Sequence, residues 1–105
     1  MYKLIVDKRA ITDLQEIKRW YNECQNGLGN KFTAQAKKQI NNLKINPNSF
    51  AVRYSDVRCM VVFKYPYMVH YRVKSELEKV IVIAVFSAQR DPDLWNKRLD
   101  EIDSE

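Results

Sequence analysis

Four arginines and one histidine are the side chains of this sequence best suited to chemistry. Arg53, Arg58, Arg72 and Arg90 fall in or just after successive β-type segments, and His70 is the only histidine. Guanidinium groups bind phosphate through paired hydrogen bonds, and histidine is the usual general acid or base near neutral pH. A meander that brings the arginines together would form a concave phosphate or nucleic-acid site beside His70. The alternative is that the arginines are scattered for solubility and that His70 packs inside the protein.

Motifs for other chemistries are absent from the sequence. Gly27 and Gly29 lie close together and form no phosphate-binding loop, and no cysteine and histidine cluster has the spacing of a metal site. Cys24 and Cys59 are far apart, which favours two separate buried thiols in a reducing compartment. We therefore expect no metal, no cofactor and a cytosolic protein.

The composition is typical of one globular domain spanning residues 1–105. Apolar residues make up 46% and charged residues 30% of the sequence, and no apolar run is long enough to cross a membrane. Residues 1–75 carry 14 basic and 5 acidic side chains, whereas residues 76–105 carry 4 basic and 8 acidic ones. A basic body with an acidic end suits a polyanion or an acidic protein as partner. A basic domain without such a partner is the alternative.

Two amphipathic helices are predicted after a short opening strand. Residues 2–6 are typical of a strand, and Asp7 is placed to cap the next helix because its carboxylate can accept hydrogen bonds from free N–H groups. Apolar residues then recur at helical spacing as far as Gly27, and again as far as Pro47. A turn this short predicts an antiparallel helical hairpin with one shared apolar side. That side carries Ala10, Leu14, Ile17, Tyr21 and Cys24 from the first helix, and Leu28, Phe32, Ala36, Ile40 and Leu43 from the second.

Four strands follow the helices as two hairpins. Residues 51–54 and 58–63 flank a turn of polar residues, and residues 68–73 and 79–86 flank a second, charged turn. This order predicts an α+β fold, β-α-α-β-β-β-β, with the helical hairpin packed on one face of a mainly antiparallel sheet that the first strand is able to join.

The candidate site residues are expected on the other, open face of that sheet. Alternation along the strand at residues 68–73 places Val69 and Tyr71 on the core face, and His70 with Arg72 on the open face.

A short C-terminal helix is expected after Arg90. Asp91 or Asp93 would cap it, and Pro92 would lie near its start. Its inner side would carry Leu94, Trp95, Leu99 and Ile102.

The whole chain resembles one known family. The residues that carry the resemblance are the segment 63–73, with Tyr65-Pro66-Tyr67 before the strand that bears Arg72, and the segment 85–95, with Arg90-Asp91-Pro92 after the last strand. Together with the order of a strand, a helical hairpin and a meander, these segments are similar to the RelE/ParE superfamily of toxins from bacterial type II toxin–antitoxin systems. The resemblance is closer to the ParE branch.

The resemblance implies a cytoplasmic toxin of the plasmid-stabilisation type, held inactive by a cognate acidic antitoxin. ParE-like members inhibit DNA gyrase by protein contact, whereas RelE-like members enter the ribosome and cleave mRNA. In a nuclease, Arg53, Arg58, Arg72 and Arg90 would stabilise the charge that develops as a 2′-hydroxyl attacks the neighbouring phosphate. The basic body would attract an acidic, partly disordered antitoxin, and an amphipathic helix of that partner would fit along the helical hairpin.

Two positions depart from the nuclease pattern of this superfamily. Ser87 stands where many relatives carry histidine, and Trp95 lies near the position of a catalytic tyrosine but cannot donate a phenolic proton. These departures favour gyrase inhibition over mRNA cleavage. A toxin-like fold that serves only as an interaction module is the third alternative, and homodimerisation is left open.

Overall fold

The computed structural model describes all of residues 1–105 and contains five strands, three α-helices and one 3₁₀ turn at Ser75–Leu77. The predicted order of a strand, two helices, four strands and a C-terminal helix is confirmed. None of the helices has the length and apolar character needed to span a bilayer. The strands are β1 (Lys3–Val6), β2 (Val52–Tyr54), β3 (Val57–Val61), β4 (Tyr67–Lys74) and β5 (Lys79–Ser87), and the helices are α1 (Lys8–Cys24), α2 (Leu28–Asn42) and α3 (Pro92–Asp103).

The five strands form a single sheet in the order β1-β5-β4-β3-β2. The strands β2 to β5 are antiparallel neighbours because short turns join them, and β1 pairs in parallel with β5. The β4–β5 register shifts between His70 and Tyr71, where Ile83 is left without a direct partner. The mainly antiparallel sheet is therefore confirmed, and the first strand does join it.

The helical hairpin covers one face of the sheet. Asp7 caps α1 by accepting a 2.9 Å hydrogen bond from the Arg9 N–H, and Gly27 makes the turn to α2 with a φ of 86°. At Gly29 the helices approach so closely that the Asn22 side chain accepts a 2.7 Å hydrogen bond from its N–H. Buried residues of the hairpin pack against one side of β3, β4 and β5 and form the first core with them. The hairpin contributes Ala10, Leu14, Ile17, Phe32, Ala36 and Ile40, and the sheet contributes Val69, Tyr71, Val80 and Val82 among others.

Two residues of the predicted apolar side, Cys24 and Leu28, lie outside the hairpin core. Cys24 is exposed, so the prediction of two buried thiols is wrong for Cys24 and correct for Cys59. Cys24 is the last residue of α1, and the helix makes its final core contact one turn earlier, where the Tyr21 ring packs against Phe32.

The second face of the sheet is covered by α3. Asp91 caps this helix by accepting a 2.9 Å hydrogen bond from the Asp93 N–H, as predicted for one of the two residues. Leu94, expected on the inner side, is 38% exposed instead, because the buried stripe runs through Trp95 and Leu99. The second core comprises Val57, Cys59, Met68, Ile83, Ala84, Phe86, Trp95 and Leu99. The expectation of an open sheet face is therefore wrong.

Side chains from the helices bind some of the main-chain groups at both edges of the sheet where the outer strands stop. Beyond β2, the Gln39 amide donates to the Val61 carbonyl at 2.9 Å and accepts from the Phe63 N–H at 2.8 Å. Beyond β1, Asp13 accepts from the Val85 N–H at 3.0 Å, and Arg98 donates to the Ile83 carbonyl at 3.1 Å. These contacts satisfy main-chain groups that a neighbouring strand would otherwise bind.

Candidate functional site

His70 lies at the centre of the second core. Its side chain has no exposed surface, its Nδ1 lies 2.9 Å from the Tyr54 hydroxyl and 3.5 Å from the Cys59 sulfur, and its ring centroid is 4.9 Å from that of Trp95. Burial, assisted by the charges of Arg53 and Arg98, lowers the pKa of His70 to about 4. His70 is therefore neutral near pH 7 and shielded from solvent. His70 is therefore a packing histidine, which was the alternative in the sequence analysis. Its predicted placement on an open face is wrong.

The groups that contact His70 are also uncharged near neutral pH. Burial raises the pKa of the Cys59 thiol to about 11, and burial raises the pKa of the Tyr54 phenol as well. A thiol held this far from ionisation is a poor nucleophile. The Nε2 atom of His70 and the Nε1 atom of Trp95 find no hydrogen-bond partner within the chain. The cluster is an enclosed core with polar atoms, and it offers no ionised group to a substrate.

Arg53 and Arg72 lie at the border of this cluster, on the α3 face of the sheet. The Arg72 guanidinium binds Asp56 through Nε at 3.0 Å and Asp103 of α3 through Nη1 at 2.7 Å. Burial alone would raise the pKa of Asp56, but its hydrogen bonds from Arg72 and Lys74 outweigh that effect and lower it. Arg72 is thus occupied by two carboxylates. Arg53 has none, and it lies with its guanidinium carbon 5.9 Å from the centre of the Trp95 ring.

The other two candidate arginines lie elsewhere. Arg58 alternates with Val57 and Cys59 and so faces the helical hairpin, where it donates a 2.6 Å hydrogen bond to the Phe50 carbonyl. Arg90 follows the end of β5 and stacks on the Phe86 ring at 5.6 Å. The four arginines therefore do not form a single concave patch. Two border the α3 face, one lies on the opposite face and one lies at the end of the sheet, so any catalytic role for them stays a prediction.

Asp13 and Arg98 form an ion pair that sequence analysis missed. Arg98 Nη1 is 2.8 Å from Asp13 Oδ2, both side chains are mostly buried, and the Arg98 guanidinium also stacks on Phe86 at 4.9 Å. The pair ties α1 to α3 across the edge of β5. The residues are 85 positions apart, and each has the spacing of an ordinary exposed helix charge, so no local pattern indicated their contact.

A groove lies along the helical hairpin on the side of β1. Its volume is about 510 Å³, its floor is apolar, and lysines form part of its border. Ile11 interrupts the polar face of α1 and is 44% exposed at this groove, so its position is a sequence signal that sequence analysis did not use. The floor consists of Leu4, Val6, Ile11, Leu14 and Ile40, and the polar border includes Lys18 and Lys37.

The structure contains no group of three or more His, Cys, Asp or Glu side chains arranged to hold a metal ion. The surface features of the chain are suited to binding a partner. They are an apolar groove with a basic border, and the guanidinium groups of Arg53 and Arg90, which have no carboxylate partners.

Comparison with known proteins identifies the family. Residues 4–92 match the model of a family described as the ParE toxin of the type II toxin–antitoxin system, parDE. No curated protein matches the sequence. Among solved structures, a chain from the chromosomal ParDE toxin–antitoxin system of P. aeruginosa is similar, with a TM-score of 0.74 and 20% identity over 83% of this chain and 96% of that one.

Two structures from E. coli are similar as well. A chain of the intact RelBE toxin–antitoxin complex has a TM-score of 0.66 and 25% identity, over 86% of this chain and 100% of that one. A doubly substituted RelE toxin in the free state has a TM-score of 0.71 and 22% identity, over 96% and 97% of the two chains. The family model covers most of the sequence, and the structural likenesses agree with it in fold. This chain, with its helical hairpin on a mainly antiparallel sheet, belongs to the ParE toxin family of type II toxin–antitoxin systems, within the RelE/ParE superfamily.

Proposed function

We propose that this chain is a cytoplasmic toxin that inhibits DNA gyrase by protein contact and is neutralised by a cognate acidic antitoxin. The observation that carries the choice of gyrase over mRNA is the closure of the sheet face by α3. His70 has no exposed surface beneath Trp95, and two carboxylates occupy Arg72. A nuclease needs several basic or acidic groups free to reach one phosphate, whereas inhibition by contact needs only a recognition surface.

The hairpin groove supports the antitoxin part of the proposal. Its apolar floor suits the apolar side of an amphipathic helix, and Lys18 and Lys37 at its border suit acidic residues on the flanks of that helix. The similar ParDE and RelBE structures are of toxin–antitoxin systems. We infer that the antitoxin of this chain is an acidic, amphipathic partner that covers the groove.

Supercoiling by purified gyrase tests the proposed target. Addition of the chain to gyrase, ATP and relaxed plasmid should block supercoiling, and premixing with the antitoxin should restore it. Unchanged supercoiling at a large molar excess of the chain would exclude gyrase as the target.

mRNA cleavage is the second candidate function, supported by the basic body and by Arg53 and Arg90, which have no carboxylate partners. Primer extension on a translated message after induction would then show cuts in the ribosomal A site, and Arg53→Ala should abolish them. A non-toxic interaction module, the third candidate, predicts no growth arrest when the chain is expressed without its partner gene.

A further inference from the structure

Trp20 is a large aromatic residue on the polar flank of α1. It is 55% exposed, and its only aromatic contact is the edge of Tyr21 at 5.0 Å. Nine residues separate it from Ile11, which is two and a half helical turns, so the two lie on opposite flanks of α1. Trp20 therefore faces away from the hairpin groove. Tryptophan is one of the residue types enriched among the side chains that contribute most to binding at protein interfaces.

The main chain beside Trp20 is an open sheet edge. β1 ends at Val6, so β5 has no neighbouring strand on that side beyond Val82. The Asp13–Arg98 pair binds only the Ile83 carbonyl and the Val85 N–H of this edge. The Val85 N–H points to Asp13, and strand alternation puts the Val85 carbonyl and the Ser87 N–H on the same edge. A cleft of about 180 Å³ lies there between β5 and α1.

Arg90 lies at the same cleft but on the other face of the sheet. Its guanidinium stacks on Phe86, which belongs to the α3 core, whereas Trp20 lies on the hairpin side. No carboxylate of the chain binds Arg90. Glu16 lies on the α1 wall of the cleft, without a basic partner, and would repel an acidic group on the Trp20 side.

We propose that this surface, formed by Trp20, the β5 edge at Val85–Ser87 and Arg90, docks an extended segment of a partner protein. The segment pairs with the free main-chain groups of β5 as a short added strand. Successive side chains of a strand point to opposite faces, so one residue packs against Trp20 and the next meets Arg90. The segment therefore carries an apolar residue directly adjacent to an acidic one. This inference rests on the proposed function, and it assigns the surface to the protein target of the toxin.

The other largely exposed aromatic residue, Phe63, does not offer the same features. Phe63 is also largely exposed, but Lys64 covers its ring at 5.5 Å, and Gln39 already binds the Phe63 N–H and the Val61 carbonyl. Its edge is closed to an added strand. The β5 edge beyond Val85 is the one that combines an exposed aromatic residue, open main-chain groups and an unpaired cation.

Growth arrest after induction tests the surface, with controls that remove a similarly exposed apolar side chain or make the same reversal of charge. Trp20→Ala and Arg90→Glu should each lower toxicity, measured as the inducer concentration for half-maximal growth, at least about tenfold. Leu77→Ala and Arg19→Glu serve as controls, because both residues are exposed and lie away from the cleft. All four variants should bind the antitoxin with the affinity of the wild type, which shows that they are folded.

The same variants in the supercoiling assay separate the two proposals. If the wild type blocks gyrase and Trp20→Ala and Arg90→Glu block it equally well, the docking surface is wrong and the gyrase function stands. If the wild type arrests growth without affecting gyrase, the gyrase function fails, and loss of arrest in these two variants still supports the surface. If Arg90→Glu alone is inactive and the wild type cuts mRNA, the partner is RNA, and a protein segment at this surface is excluded.

Discussion

At the scale of single residues, burial controls the chemistry of the second core. His70 is surrounded by Tyr54, Cys59, Phe86 and Trp95, and the nearest charges are those of arginines. A proton on its ring would lose hydration and meet further positive charge. The fold therefore keeps His70 neutral, and this preference can be measured as a change in the free energy of unfolding with pH.

Stability should fall in acid because of His70. Its pKa is about 4 when folded, against 6.5 in its ordinary state, so the unfolded chain takes up the proton first as the pH drops. Above about pH 6.5, His70 is neutral in both the folded and the unfolded chain, and stability does not depend on its titration. Between about pH 6.5 and pH 4 the unfolded chain binds the proton first, so the free energy of unfolding falls by ~3 kcal/mol in total. Urea unfolding at a series of pH values should show this loss. His70→Asn, which cannot titrate there, should have a shallower slope, and identical slopes would contradict the assignment.

At the scale of secondary-structure elements, side chains replace missing strands. The Asp13–Arg98 pair and the Gln39 amide occupy main-chain groups where β1 and β2 are too short to do so. The pair has a second effect, since it connects α1 to α3 and so holds the helix that encloses His70. Edge closure and helix docking therefore depend on the same two residues.

Removal of the Asp13 carboxylate should test this double role. Asp13→Ala leaves Arg98 mostly buried without a counter-charge and frees the Val85 N–H, so we expect a loss of about 3 kcal/mol in unfolding free energy. Asp13→Asn keeps an oxygen for Val85 and should lose less. Glu23→Ala, at an exposed α1 position, should change stability by no more than about 0.5 kcal/mol. Equal stability of Asp13→Ala and Glu23→Ala would show that the pair does not hold α3.

Gly29 fixes the distance between α1 and α2. Alanine normally stabilises a helix by about 1 kcal/mol relative to glycine, but a methyl group at Gly29 would collide with the Lys18 carbonyl and the Asn22 side chain. We expect Gly29→Ala to destabilise the protein by about 2 kcal/mol. Thermal unfolding measures the effect, with Asn30→Ala, at the next and exposed position of α2, as the control. A rise in melting temperature for both variants would show that the hairpin has room at Gly29.

The elements were predictable from local patterns, and the site was not. Asp7, Gly27 and the apolar spacing of α1 and α2 act over a few residues, so they specify the hairpin from sequence alone. The cover over His70 depends instead on where α3 docks, which alternation along β4 cannot indicate. Arg72 and Arg98 illustrate the same limit. Asp103, the α3 partner of Arg72, is 31 residues from it, and Asp13 is 85 residues from Arg98, so only the folded chain brings these pairs together.

At the scale of the whole molecule, charge and surface shape act together. The net charge of +5 arises from a strongly basic first 75 residues and an acidic end. Part of the acidic end is already used within the fold, since Asp103 binds Arg72 and Glu105 binds Arg9. The lysines beside the hairpin groove have no carboxylate partner. An acidic partner is therefore attracted to the groove side of the molecule.

Association with the antitoxin should accordingly be fast at low salt and slow at high salt. Opposite charges raise the rate of encounter, and salt screens them over a distance of about 8 Å at physiological ionic strength. We expect the association rate constant to fall on the order of tenfold or more between about 0.02 and 0.5 M NaCl, with a smaller change in the dissociation rate. Stopped-flow mixing measures both rates. Replacing Lys18 and Lys37 by glutamine should slow association and flatten its salt dependence, because these lysines border the groove. The same replacement at Lys97 of α3 should have little effect, and an association rate that ignores salt would rule out electrostatic steering.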